Sequence, residues 1–119
     1  MKKPLRDKQF ALFEREVRRL QNKWGVNDWN IFVAHAATEN RHADADFKGS
    51  STKRAAMIRL NPKRLGVQDG DVRGFARHEM CHALLAEFSC LASSRHVTED
   101  ELEAAEEALV QRLIRLLPK

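Results

Sequence analysis

The stretch Arg77-His78-Glu79-Met80-Cys81-His82 contains the pattern His-Glu-x-x-His. On an α-helix each residue advances by about 100°, so His78 and His82 would lie about 40° apart and could direct both imidazoles at one ion. Glu79 borders the same face. It is placed to take a proton from an attacking water rather than to hold the metal, which is the arrangement that metal-assisted hydrolysis requires. Zinc is the ion this donor set suits, and it supplies an acidified water and a polarised carbonyl. The pattern therefore marks His78 and His82 as zinc ligands and Glu79 as general base.

A zinc site open to substrate takes three protein ligands. Downstream, Leu102, Ala105, Leu109, Leu113 and Leu116 recur at helical spacing, and Glu106 falls between Leu102 and Leu109 within that stripe. A carboxylate on a buried stripe needs compensation, and a shared zinc would provide it, so Glu106 is the expected third ligand. His96, in the turn between the two helices, is the second choice. Glu103 lies at the stripe's boundary, Glu107 projects to the polar side, and Glu87 is on the wrong face of the motif helix.

These groups need a scaffold, and the hydrophobic periodicity outlines one. Phe10, Phe13, Val17, Leu20 and Trp24 form the apolar stripe of a helix over roughly residues 5–23. After a turn at Gly25 and Asn27-Asp28, Trp29, Ile31, Val33 and His35 alternate with other residues as in a strand. The polar stretch from Thr38 to Lys53 reads as a loop or hairpin that hides a short strand near Ala43 to Lys48. Its His42, Asp44 and Asp46 lack the glycine and terminal glutamate of a hard-cation loop. Ala56, Ile58 and Leu60 mark another strand, ended by Asn61-Pro62. The linker KRLGVQDGD leads to the motif helix, which Asp69 or Asp71 would cap. Thr98-Glu99-Asp100-Glu101 is a capping box for a last helix running to about Leu117, where Pro118 stops it. The expected fold is a single α+β domain over residues 1–119: an N-terminal helix, a two- or three-stranded antiparallel meander, the motif helix and a C-terminal helix.

Composition sets the outer limits. At 119 residues there is room for one core, and no run approaches the ~18 apolar residues of a membrane span. The basic start is followed by charged residues instead of an apolar h-region, so the cytoplasm is the expected compartment. Cys81 and Cys90, the only cysteines, are nine residues apart on one helix, about 13 Å along its axis, and should not pair. The net charge of +4 is uneven, with eight basic and three acidic residues in Met1 to Trp24 and six acidic and three basic in Thr98 to Lys119. That bias permits a weak affinity for nucleic acid, though it fits helix solvation better.

The run from Arg77 to Leu85 resembles the active-site helix of the zincin metallopeptidases. The layout of a Trp-x-Ile-x-Val strand (Trp29 to Val33), an Ala-x-Ile-x-Leu strand (Ala56 to Leu60), the motif helix and an acidic helix is similar to small metallopeptidases of bacteriophages and prophages. With Glu106 as third ligand it is similar to the gluzincins. The resemblance implies zinc-dependent hydrolysis of a peptide or protein substrate, with an extended peptide held on the sheet edge. A metzincin would carry glycine and histidine where this chain has Leu85 and Phe88. SprT-like zincins, which act on DNA-bound proteins, are similar in size and charge and would use His96. The chain has no tyrosine, so oxyanion stabilisation would fall to His35, His96, Arg77, backbone N–H groups or the metal alone. The non-enzymatic alternative is a zincin-like module that binds proteins through the same surface.

Overall fold

The computed structural model describes residues 3–40, 42–50, 53–62 and 68–116. Six elements follow in the order α1 (Lys3–Lys23), β1 (Asn30–His35), β2 (Ala45–Ser50), β3 (Ala55–Leu60), α2 (Asp69–Ala92) and α3 (Glu99–Leu116). The α+β class and the three helices agree with the periodicity of the sequence. Most of the linker before α2 and the stop at Pro118 lie outside the described residues. Among the described residues no helix is long and apolar enough to cross a membrane.

The sheet departs from the expected antiparallel meander. Its strand order is β1-β3-β2, with β3 antiparallel to β2 but parallel to β1. Burial explains the order. Ala56, Ile58 and Leu60 of β3 are 4%, 0% and 6% exposed, so β3 belongs in the centre, whereas β2 carries Asp46 and Lys48 and suits an edge. The chain therefore crosses from β1 to the far edge, descends through β2 and returns as β3 into the gap.

The core lies on one face of this sheet. Phe13, Val17 and Leu20 of α1 and Val72, Ala76 and Met80 of α2 meet Ile31 and Ile58 there, and Val26 belongs to the same core. The opposite face is open, and Phe32 and Met57, paired in register, are exposed on it. Gly25 ends α1 with φ +69°, a left-handed conformation that closes the helix. Gly25→Ala should cost about 1 kcal/mol, read as a lower denaturant midpoint at unchanged slope.

The N-termini of α2 and α3 are both capped. Gln68, rather than either aspartate, is the N-cap of α2, and its N–H donates to the Asp71 carboxylate at 3.2 Å. Thr98 caps α3 as the sequence implies: the Glu101 N–H donates to its Oγ1 at 3.1 Å, and its own N–H donates to Glu101 Oε1 at 3.2 Å. Cys81 and Cys90 are both free thiols.

Candidate metal centre and cleft

Helix α2 presents two sides to two environments. Val72, Ala76, Met80, Ala83 and Ala86 face the core, while His78 and His82 emerge at the rim of that face and are exposed. Their rings meet edge to face with centroids 5.2 Å apart. Phe47 of β2 stacks on His82 at 6.0 Å, so the edge strand restricts that imidazole from the outside. Glu79, one residue round from His78, is only 6% exposed. Ligand atoms of His78, Glu79 and His82 all lie within 4.8 Å of one another, and among the described residues no other group of three or more such side chains comes as close. Two imidazoles and a carboxylate at this separation can converge on one ion, and the exposure of both histidines leaves room for a water.

Burial pushes the Glu79 carboxyl above the ordinary carboxylate range; His78 pulls it down, and Asp46 adds to the rise. A carboxyl shifted in that direction is a stronger base than an ordinary carboxylate. It also has a stability consequence. The folded protein holds a proton on Glu79 at pH values where the unfolded chain has released it, so this contribution is present at low pH and is lost as pH rises through the folded pKa. Glu79→Gln should therefore raise the melting temperature of the metal-free protein by a few degrees at pH 7–8 and have less effect near pH 4. An equal shift at both pH values would contradict the burial argument.

The cleft beside this cluster encloses about 450 Å³ and is lined by Asp44, Ala45, Gly70, Asp71, Gly74, Phe75, His78 and Glu79. Asp44 is held at its mouth by a small polar knot. The Asn61 N–H donates to the Asp44 carbonyl at 2.9 Å, Asn61 Nδ2 donates to the Ala43 carbonyl at 3.0 Å, and Thr38 Oγ1 donates to the Asn40 carbonyl at 2.6 Å. On the next residue pair Arg59 clamps Asp46 with two bonds, at 2.8 and 2.6 Å. Burial raises the Asp46 carboxyl, but this clamp and the Glu39 amide outweigh it and hold the group below the usual range. Reading Asp44 and Asp46 as part of an ordinary exposed loop therefore missed their place beside Glu79; only His42 is exposed as that reading requires. The alternation of Ala45, Phe47 and Gly49 toward the helices was the available signal.

Glu106 requires a correction. It is exposed, and the buried position on α3 is Ala105. Nor does α3 approach the histidines. It packs on α2 along Leu84, Glu87 and Phe88, which lie roughly 100–160° round the helix from the midpoint of the histidine pair. Ion pairs hold it there: Arg112 meets Asp28 at 3.4 Å, Asp28 pairs with Arg54, and Arg54 reaches Glu87 at 3.7 Å. Leu113, assigned to the buried stripe, is likewise exposed. The desolvation argument for Glu106 is thus removed, and Glu103 and Glu107 are exposed on the same helix.

His96 is exposed in the turn after α2, its N–H donating to Ser94 Oγ. The helix ends at Ala92, about 15 Å along its axis from His82. His35 is half-buried and stacks flat on Phe10 at 4.9 Å, a packing role away from the cluster. Comparison with protein-family models, curated proteins and solved structures finds no match to this chain.

Proposed function

We propose that the protein is a zinc-dependent peptide hydrolase whose reaction is centred on His78, Glu79 and His82. The observation that supports this reading most directly is the convergence of those three side chains within 4.8 Å at the end of an open cleft. Histidines at i and i+4 would supply two of the metal's ligands, and the carboxylate between them is shielded enough to act as a base. A zinc ion supplies Lewis acidity, acidifying a water and polarising the scissile carbonyl.

The chain's own groups do the remaining work. Glu79 accepts the proton of the attacking water and passes it to the departing amine. Phe47 keeps the His82 ring in place. Among the described residues no strand pairs with the outer edge of β2, next to the histidines, so an extended peptide could be laid along it. The site would sit on rigid elements, a helix and a strand, as positioning of this kind requires.

The test is metal content followed by turnover. Purified protein is expected to hold one zinc per chain by elemental analysis. It should cleave an unstructured protein such as casein, lose that activity to a chelator and recover it on addition of zinc. A protein that takes up no zinc, or whose cleavage survives complete removal of metal, would refute the reading.

A further inference from the structure

Charge on one helix alone is accounted for by solvation, but the structure adds a second helix to it. On α1, Lys8, Arg15, Arg19 and Lys23 are all exposed and fall within about 80° of one another, a stripe about 22 Å long. Helix α2 packs along α1 and brings two more exposed cations, Arg73 and Arg77, which lie about 40° apart. Glu16 marks where the two sets meet. It is only 7% exposed, and Arg19 holds it with two bonds, at 2.9 and 2.7 Å. Those bonds keep its carboxyl below the usual range against the effect of burial, and the charges of Arg77 and Arg73 act in the same direction. Three guanidinium groups from two helices therefore lie within electrostatic reach of one carboxylate.

The rest of the patch is uncompensated. Lys8, Arg15, Lys23, Arg73 and Arg77 form no ion pair among the described residues. Glu14 does not neutralise the stripe, because it lies about 140° round α1 from the middle of it.

What the patch lacks decides its partner. Of the large apolar side chains that are exposed, none is on α1, and Leu85, the one on α2, lies about 12 Å along the helix beyond Arg77. A protein interface needs apolar anchors at its centre, and a helix on a membrane surface buries an apolar face. The patch offers neither. Phosphates along a polymer require only cations at intervals, and arginine, which supplies four of these six, grips each phosphate through two parallel N–H donors.

We infer that the α1–α2 surface formed by these six cations binds the phosphate backbone of a nucleic acid, without reading its bases. The inference does not depend on the peptidase reading, since the surface uses neither the metal nor Glu79.

The test is fluorescence anisotropy of a labelled duplex of about 20 base pairs and arbitrary sequence, titrated with the full chain, with and without zinc. With Arg19 partly committed to Glu16, four or five phosphate contacts are expected, so log K should fall against log salt with a slope of about −4. Between about 50 and 200 mM salt that is a loss on the order of 10²-fold. Arg73→Gln with Arg77→Gln should reduce the slope by about 2 and weaken binding at low salt at least tenfold. Arg15→Gln with Lys23→Gln, on the other helix, should do the same. Arg95→Gln with Arg115→Gln removes equal charge elsewhere and should leave the slope at the parent value.

A chain that does not bind the duplex at the lowest salt overturns the inference. So does an equal loss in the Arg95 and Arg115 control, which would make net charge alone responsible. Polyglutamate that competes as well as the duplex, or phosphatidylserine vesicles that bind the chain as tightly, would assign the surface to another partner and overturn it too. If the protein takes up no zinc while the duplex binding and its salt slope hold, the hydrolase reading fails and the phosphate surface stands.

Discussion

His78→Ala and His82→Ala are each expected to abolish stoichiometric zinc binding. The loss should exceed the roughly 10–100-fold in affinity that removal of a supporting partner costs, because an actual ligand is removed. Phe47→Ala supplies that lesser case, since its ring only stacks on His82. It should weaken zinc by no more than that factor. Glu106→Gln and His96→Ala should leave the affinity at the parent value, because the structure brings neither side chain to the histidines. Competition titration against a chromophoric chelator ranks all five variants on one scale. Parent-like affinity in either His78→Ala or His82→Ala would remove the metal centre. A large loss in Glu106→Gln would show that α3 can leave its seat on Leu84 and Phe88.

The contrast between the histidines and Glu106 shows which parts of the site local sequence can specify. His78, Glu79 and His82 belong to one helix, so the 3.6-residue repeat alone sets their relation, and no tertiary contact is needed to read it. Glu106 depends on how a second helix docks, and that is decided elsewhere. Ala105 and Leu109 of α3 sit beside Leu84 and Phe88 on the far flank of α2, and Asp28 and Arg54 pair with Arg112 and Glu87 alongside. An amphipathic stripe identifies the face that is buried on average. It does not say that a glutamate three residues from a leucine shares its burial, and here the position beside it, Ala105, takes that place.

The sheet teaches the same distinction. Each strand was legible from alternation, including the short one near Ala43 to Lys48, observed at Ala45–Ser50. Strand order was not, since a meander and a sheet with β3 inserted in the centre share the same local pattern. The difference lies in comparative burial. β3 is flanked on both sides and all three of its inward residues are buried, while no residue of β2 is fully buried and its Lys48 is exposed, as suits an edge. The consequence for the site is direct. Only with β2 at the edge do Asp44 and Phe47 come alongside α2, and the cleft acquires its second wall.

Glu79→Gln should keep the zinc and the fold while lowering peptide hydrolysis by about 10²–10⁴-fold, the range that removal of a general base covers. The amide occupies the same buried volume but cannot take a proton, so the effect should appear in kcat with little change in KM. The pH dependence sharpens the assignment. Glu79 must be ionised to act, so activity of the parent should rise with pH through a limb set by its carboxyl, which burial alone pushes up. A bound zinc would draw that limb back down by favouring the charged form. The Gln variant's residual activity should lack this limb. Because Glu79 lies within 4.8 Å of both imidazoles, it is also placed where a ligand could be, and the same variant separates the two roles. Retained zinc with lost turnover identifies the base. Lost zinc identifies a ligand, and hydrolysis at the parent rate puts the base on another residue.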